Sequence, residues 1–238
     1  MNISIVGTGY VGLVSGVCLA AKGHRVTCYD IDRKVVDSLN SGIPHIYESG
    51  LQELLTSVLN DGMFTVKLIS DEINENGFFT CDKALSENFI NNIKNDVKDS
   101  GLSLNKNNVA GVYFTHGNQF FLTHMLAVSE SFFNYCTNKK VLDICTNYMG
   151  SKFRLKALRY YENFGGQVMQ WHTDNRYYDG IEKDGINTQT PGLIFLAYIS
   201  DVNDGEFQYI RGSHKWSLEN KYNDYSADYV EKNYKNDI

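Results

Sequence analysis

The first thirty residues of this 238-residue chain hold a strand, a glycine-rich turn, a helix and a second strand, in an order that leaves few folds open. Ile3–Val6 is a short β-branched run that stops at the G-x-G-x-x-G pattern of Gly7–Gly12. Leu13–Ala21 then predicts a helix, and Arg25–Tyr29 predicts a strand that ends at Asp30. This order is typical of the opening of a dinucleotide-binding α/β unit.

The glycines and the acid have separate tasks in such a unit. Gly7 permits a tight turn, Gly9 lets a pyrophosphate approach the backbone, and Gly12 lets the helix pack closely on the strand. The N-terminus of the helix offers free N–H groups to the phosphates. Asp30 lies near the spacing of ~20 residues expected for a carboxylate that binds the adenosine ribose, so the pattern predicts NAD rather than NADP.

A longer stretch extends this interpretation, ISIVGTGYVGLVSGVCLAAKGHRVTCYDIDRKVVDSLNSGIPHIYESGLQELL. It resembles the N-terminus of the UDP-glucose/GDP-mannose dehydrogenase family over about residues 1–65, although Ser49 stands where that family usually has proline. The resemblance implies an NAD-binding segment. We count at most two strands in it, and no cysteine lies in the glycine-rich motif that holds the family's catalytic cysteine. We therefore expect no dehydrogenase activity.

Charge and cysteine usage narrow the classes of function. The net charge of −6 provides no basic surface for nucleic acid, so we expect no nucleic-acid partner. The five scattered cysteines fit a reducing compartment rather than a disulfide framework. We find no signal peptide and no run of ~20 apolar residues. These observations predict a cytoplasmic protein without a membrane partner that acts on a small molecule, and they leave its oligomeric state open.

The rest of the chain changes character after about residue 65, without a linker rich in glycine, serine or proline. Predicted helices come first and predicted strands follow, which favours an α+β domain with an antiparallel sheet or barrel. The predicted helices are Asp71–Asn76, one with Ser86 as its N-cap, Met125–Tyr135 and Lys140–Tyr148. The predicted strands start at Phe78 or span Lys156–Tyr161, Gln167–Trp171, Leu193–Ile199 and Phe207–Ile210.

His172 and Asp174 form the His-x-Asp triplet of WHTD. On a strand these two side chains leave the same face, so they can supply two of the three ligands of an iron site made of two histidines and one carboxylate. The blocks ISDEINENGFF, KALRYYENFGGQVMQWHTDN and GLIFLAYISDVNDGEFQYIRGSHKW resemble the phytanoyl-CoA dioxygenase-like family over about residues 68–217. That resemblance implies a double-stranded β-helix (jelly-roll, cupin-like) fold with Fe(II) at His172 and Asp174, and 2-oxoglutarate as co-substrate.

The third iron ligand is not evident from the sequence. In that family it is a later histidine, followed by an arginine that binds 2-oxoglutarate, and no histidine follows Trp216. His214 is a weak substitute, because RGSHKW matches a turn of the family rather than its ligand strand. Lys156 and Arg159 are candidates for binding 2-oxoglutarate, although on one strand they would point to opposite faces.

Together these patterns predict an oxidoreductase-type fusion. Residues 1–65 would form a partial dinucleotide-binding (Rossmann) segment, and residues 66–238 a phytanoyl-CoA dioxygenase-like hydroxylating domain that lacks its last strands. We expect the oxygenase site to be inactive without its third histidine. Two alternatives stay open: a fragment related to NAD-dependent UDP-glucose 6-dehydrogenase, and a non-catalytic product of gene fusion.

Overall fold

The computed structural model describes residues 1–102, 113–116, 119–150, 152–165, 171–172, 192–203, 205–216 and 225–238, with the backbone alone at 113–116. The chain divides into two compact units. The first consists of Met1–Asp82 and Leu142–Ser151, and the second of Lys83–Val141 and Lys152–Ile238.

The first unit contains a three-stranded parallel sheet in the order β1-β2-β3. Its elements are β1 (Asn2–Val6), α1 (Tyr10–Ala21), β2 (Arg25–Asp30), α2 (Arg33–Asn40), α3 (Leu51–Asn60), β3 (Phe64–Leu68) and α4 (Ile69–Asn76). Ile5 pairs with Cys28, and Cys28 pairs with Val66, so the three strands are in direct register. This arrangement confirms the predicted α/β Rossmann-like partial unit. The limit of two strands was wrong, because β3 adds a third.

Strand β3 forms because its five residues alternate between core and solvent. Phe64, Val66 and Leu68 are buried, whereas the two residues between them are exposed. The side chain of Asn40 pairs with the outer edge of this strand, since its Nδ2 donates to Val66 O at 2.8 Å and its Oδ1 accepts from Val66 N at 3.1 Å. An amide side chain thus takes the hydrogen bonds that a further strand would take.

Helix α1 supplies the other half of the core of the first unit. Leu13 and Val17 are fully buried, and they belong to the same apolar cluster as Val26 and Phe64 of the sheet. The helix lies so close to the sheet that a Cβ added at Gly16 would lie 3.0 Å from Cys28 Sγ. This tight packing fixes the N-terminus of α1 beside the ends of β1 and β2.

The second unit contains a three-stranded antiparallel sheet in the order β4-β5-β6, in which Phe121 pairs with Tyr161. A separate apolar cluster includes Ile93, Phe120, Leu122 and Met125. The helices and strands are α5 (Glu87–Asp99), β4 (Tyr113–His116), β5 (Gln119–Leu122), α6 (Glu130–Cys136), β6 (Tyr160–Asn163) and α8 (Ala227–Tyr234). Helix α7 (Lys139–Met149) comes between α6 and β6 in the chain, and its residues from Leu142 are assigned to the first unit. Short 3-10 helices span Met125–Ala127, Ser213–Lys215 and Lys235–Asp237.

The helices of this part were predicted better than its strands. Ser86 caps α5, accepting a hydrogen bond from Phe89 N at 3.2 Å, as expected. The predicted helix Met125–Tyr135 is instead a 3-10 turn followed by α6. The predicted strand Lys156–Tyr161 is replaced by β6, which begins four residues later.

Three other predicted strands do not form as such. Phe78 and Phe79 are half-buried without strand pairing, and Phe79 packs its ring edge-on against Tyr29 at 5.1 Å. Leu193–Ile199 and Phe207–Ile210 have no strand assignment, and apolar side chains such as Ile194 are exposed there. Most of Gln167–Trp171 lies outside the described residues. The double-stranded β-helix therefore stays a prediction.

Across the described parts of the chain, no helix is both long enough and apolar enough to cross a membrane.

Candidate functional site

The glycine-rich turn joins β1 to α1 in the first unit. Gly7 has a φ of 92°, a conformation that side chains disfavour, and its N–H donates to Tyr29 O at 2.7 Å, which ties the turn to β2. Gly9 is the N-cap of α1 and has nothing within 4 Å of an added Cβ, so the space above it is open. At Gly12 an added Cβ would lie 2.0 Å from Gly7 O, so only glycine fits there.

Asp30, at the carboxyl end of β2, points its carboxylate at this turn. Oδ2 accepts hydrogen bonds from Thr8 N at 2.8 Å and Thr8 Oγ1 at 2.5 Å. Oδ1 accepts from Ile31 N at 2.7 Å and Asp32 N at 3.0 Å. Burial raises the pKa of Asp30, but these hydrogen bonds outweigh it and leave the pKa below its usual value. The group is a fixed anion at neutral pH.

The four residues predicted to bind NAD therefore lie together at one end of the parallel sheet. They are Gly7, Gly9, Gly12 and Asp30. Their arrangement fits a dinucleotide: an open glycine at a helix N-terminus for the pyrophosphate and a fixed carboxylate for the ribose. The exposed hydroxyl of Tyr10 also donates to Glu48 Oε2, which links the turn to the loop before α3.

Sequence reasoning gave no role to Thr8, Tyr10 or Glu48. Thr8 is fully buried although it lies between two exposed glycines, and a hydroxyl residue inside the G-x-G pattern was the one available signal. Glu48 lies in the stretch PHIYESGL, which supported a family resemblance but did not indicate a contact with the turn.

Four described cysteines have pKa values that burial raises. Burial, with a smaller contribution from the charge of Asp30, raises the pKa of Cys28 to about 12. Burial also raises the pKa of Cys81, Cys136 and Cys145. A nucleophilic cysteine needs the opposite shift, because the thiolate is the reactive form.

The predicted iron ligands lie in the second unit. His172 is exposed and follows Trp171, whose carbonyl oxygen accepts a hydrogen bond from Tyr225 N at 3.0 Å. His214 is half-buried in the 3-10 turn Ser213–Lys215. Asp174 lies outside the described residues. Within the described ranges no group of three His, Cys, Asp or Glu could hold a metal ion, so the described residues do not by themselves fit iron.

Lys156 and Arg159 both precede β6 and both have exposed side chains. Arg159 Nη1 donates to Tyr161 OH at 3.2 Å. Since neither residue is on the strand, the expectation that they point to opposite faces does not apply. Their role with 2-oxoglutarate remains a prediction.

A cavity of about 570 Å³ opens in the second unit, and Trp171, the residue before His172, forms part of its wall. This volume is in the range of small-molecule sites. The walls include an indole, two carboxylates and a lysine, and they are formed by Trp171, Gln208, Ala227, Asp228, Val230, Glu231, Lys235 and Ile238.

Two curated UDP-glucose 6-dehydrogenases match part of the chain. The UDP-glucose 6-dehydrogenase YwqF of Bacillus subtilis (strain 168) is 53% identical over 62 residues, which cover 26% of this chain and 14% of that enzyme. The UDP-glucose 6-dehydrogenase of Rickettsia prowazekii is 44% identical over 73 residues, or 30% of this chain and 17% of that enzyme. The chain thus spans less than a fifth of the length of these relatives.

Solved structures match the same region. A UDP-glucose dehydrogenase from Pyrobaculum islandicum is 40% identical, with a TM-score of 0.29, and the match covers 30% of this chain and 17% of that one. A GDP-mannose dehydrogenase from Pseudomonas aeruginosa is 36% identical, also with a TM-score of 0.29, and the match covers 31% of this chain and 17% of that one.

Two family models divide the chain between them. Residues 1–80 match the NAD binding domain of the UDP-glucose/GDP-mannose dehydrogenase family. Residues 74–237 match phytanoyl-CoA dioxygenase (PhyH). The second match covers well over half of the chain, so this protein belongs to the phytanoyl-CoA dioxygenase family, and its first 80 residues are similar to the NAD binding domain of the dehydrogenase family.

Proposed function

We propose that the first unit binds NAD through its adenosine diphosphate half. The pyrophosphate would lie on Gly9 and the N-terminus of α1, and the adenosine ribose would meet Asp30. The observation that carries this proposal is the Asp30 carboxylate, held 2.8 Å from Thr8 N and kept ionised beside the glycine turn. An anion at this position favours a ribose hydroxyl and repels the 2′-phosphate of NADP.

Bound NAD would supply a hydride acceptor, and the residues of the first unit would bind and orient it. Burial raises the pKa of Cys28 and Cys145, so neither thiol offers the thiolate that a cysteine-based dehydrogenase step needs. We therefore assign the first unit a binding role and no dehydrogenase activity.

The test is calorimetric titration of the whole chain with NADH and NADPH. Asp30→Asn should weaken NADH binding by about tenfold or more, because a charge-assisted acceptor is lost. Asp37→Asn is the matched control, since Asp37 is an exposed acid on α2. Equal NADH affinity in the parent protein and Asp30→Asn would contradict the proposal.

The second unit has its own candidate function, an Fe(II)/2-oxoglutarate-dependent hydroxylation of a small molecule. The match to the PhyH family over residues 74–237 favours it. Here His172 and Asp174 would bind the metal. The metal with its co-substrate would supply the oxidation of a C–H bond.

An anaerobic titration with Fe(II) and 2-oxoglutarate tests this function through the metal-to-ligand charge-transfer band. A band in the parent protein that Asp174→Ala loses, and that Asp201→Ala, an exposed acid of the same unit, keeps, would support this function. Loss of the band in His214→Ala as well would make His214 the third ligand. A parent protein with neither the band nor NADH binding would be the non-catalytic fusion product.

A further inference from the structure

Thr8 occupies an unusual position in the glycine-rich turn. Its residue is fully buried, whereas Gly7 and Gly9 on either side are exposed. Both of its donors point to one acceptor: the N–H and the hydroxyl reach Asp30 Oδ2 at 2.8 Å and 2.5 Å. A single residue thus provides all the described hydrogen bonds to that carboxylate oxygen.

The Asp30 carboxylate already accepts as many hydrogen bonds as it ordinarily can. An ionised carboxylate has about four lone-pair sites, two on each oxygen. Thr8 fills both sites on Oδ2, and the N–H groups of Ile31 and Asp32 fill both on Oδ1, at 2.7 Å and 3.0 Å. A ribose that donates its hydroxyls to this carboxylate must therefore displace a protein donor.

Only one of the four donors can move without a change in the fold. The N–H groups of Thr8, Ile31 and Asp32 belong to the main chain of the turn and of the segment that leads into α2. The hydroxyl of Thr8 is on a side chain, and rotation about its Cα–Cβ or Cβ–Oγ bond releases the hydrogen bond. The exchangeable donor is therefore the Thr8 hydroxyl.

We propose that the Thr8 hydroxyl competes with a ribose hydroxyl of the dinucleotide for Asp30 Oδ2, and so limits the affinity of the site for adenosine ribose. This inference rests on the proposed binding of NAD by the first unit. When the ribose binds, a buried hydroxyl gives up a charge-assisted hydrogen bond, which offsets part of the new one. Without that hydroxyl, the ribose displaces only water.

The experiment compares the affinity of ADP-ribose for the parent protein, Thr8→Val and Thr8→Ser by calorimetric titration of the whole chain. Valine has nearly the same shape without the hydroxyl, and serine keeps the hydroxyl. Thr8→Val should bind ADP-ribose about fivefold more tightly than the parent protein, which corresponds to about 1 kcal/mol. Thr8→Ser should bind as the parent protein does.

Deoxy analogues separate competition from a general change in the site. The higher affinity of Thr8→Val should disappear with one of two analogues of ADP-ribose, which lack the 2′-hydroxyl or the 3′-hydroxyl of the adenosine ribose. The analogue that removes the difference identifies the competing hydroxyl. A gain that persists with both analogues would overturn the inference, as would equal or weaker binding of ADP-ribose by Thr8→Val. If valine prevents folding, Thr8→Ala makes the same comparison.

The two proposals fail in different ways. A parent protein that does not bind ADP-ribose at millimolar concentration overturns both the NAD-binding function and the competition. A parent protein that binds ADP-ribose, together with a hydroxyl-free variant that gains nothing, overturns the competition alone. If Thr8 only held the carboxylate in place, loss of its hydroxyl would weaken binding and serine would restore it.

Discussion

A methyl group at Gly12 would lie 2.0 Å from the carbonyl oxygen of Gly7, 3.2 Å from its carbonyl carbon and 3.4 Å from Ile5 Cγ2. The first two contacts are with main-chain atoms, so no side-chain rotation relieves them. Either α1 must move away from β1 or the turn must open. Overpacking usually costs 1–3 kcal/mol where side chains can adjust, so we expect Gly12→Ala to destabilise the first unit by about 3 kcal/mol or more.

Gly9→Ala is the matched control for this substitution. An added Cβ at Gly9 meets nothing within 4 Å, and its φ of −62° suits alanine, so the change should cost about 1 kcal/mol or less. Its effect should instead appear in binding, since a methyl group there would keep the pyrophosphate from the backbone. Gly12→Ala should thus lose stability, and Gly9→Ala should lose NADH affinity with stability nearly unchanged.

The assay must separate the two units. Both tryptophans, Trp171 and Trp216, belong to the second unit, so tryptophan fluorescence reports its unfolding. Hydrogen exchange of the amides of β1 to β3 reports the first unit. Gly12→Ala should speed exchange in those strands by about a hundredfold or more and leave the fluorescence transition unchanged. If the amides of β1 to β3 exchanged in Gly12→Ala at the rates of the parent protein, the main chain at Gly7 could not approach Gly12 as closely as described.

Three further predictions concern single hydrogen-bonding groups. Because the folded-state pKa of Asp30 is lowered, this carboxylate stabilises the first unit above its unfolded pKa of about 4. The stabilisation is lost as the pH falls through the lower, folded-state pKa. Asp30→Asn should therefore make the free energy of unfolding of the first unit depend less on pH in this acidic range. Asn40→Ala should destabilise the first unit by about 1–2 kcal/mol and speed exchange of the Val66 amide, with unchanged exchange counting against the edge contact. Ser129→Ala, which removes the N-cap of α6 and a hydrogen bond to Asp96, should lower the fluorescence-detected stability of the second unit by about 1–2 kcal/mol, whereas parental stability would contradict both contacts.

The fold of the first unit was largely predictable because short local patterns in its sequence determine the helices, strands and turns. The glycine spacing, the run Ile3–Val6 and the acid at position 30 each restrict the backbone, and they agree with one another. Strand β3 was missed because FTVKL is short and lies where the sequence changes character. The alternation of Phe64, Val66 and Leu68 between core and solvent was nevertheless present.

The second unit was less predictable because a strand needs a partner. Leu193–Ile199 is as apolar as many buried strands, yet the structure shows no ladder there and exposes Ile194. Helix α5 was easier, since its hydrogen bonds and its Ser86 cap are local. An iron site depends on ligands that such long-range pairing brings together. The His-x-Asp triplet at His172 therefore predicts the type of metal ligand but not the positions of the ligands in space.

Strand β3 and helix α4 meet with no residue between them, at Leu68 and Ile69. Ile69 and Ile73 are buried, and Arg33 on α2 pairs with Asp71 at 2.7 Å. The two family matches overlap at residues 74–80, which begin in the last turn of α4. Deleting or inserting one residue here would turn the apolar face of the helix by about 100° or exchange the two faces of the strand. The register of α4 against β3 therefore depends on the length of this junction, and a change in length should disturb the first unit more than an exposed substitution does.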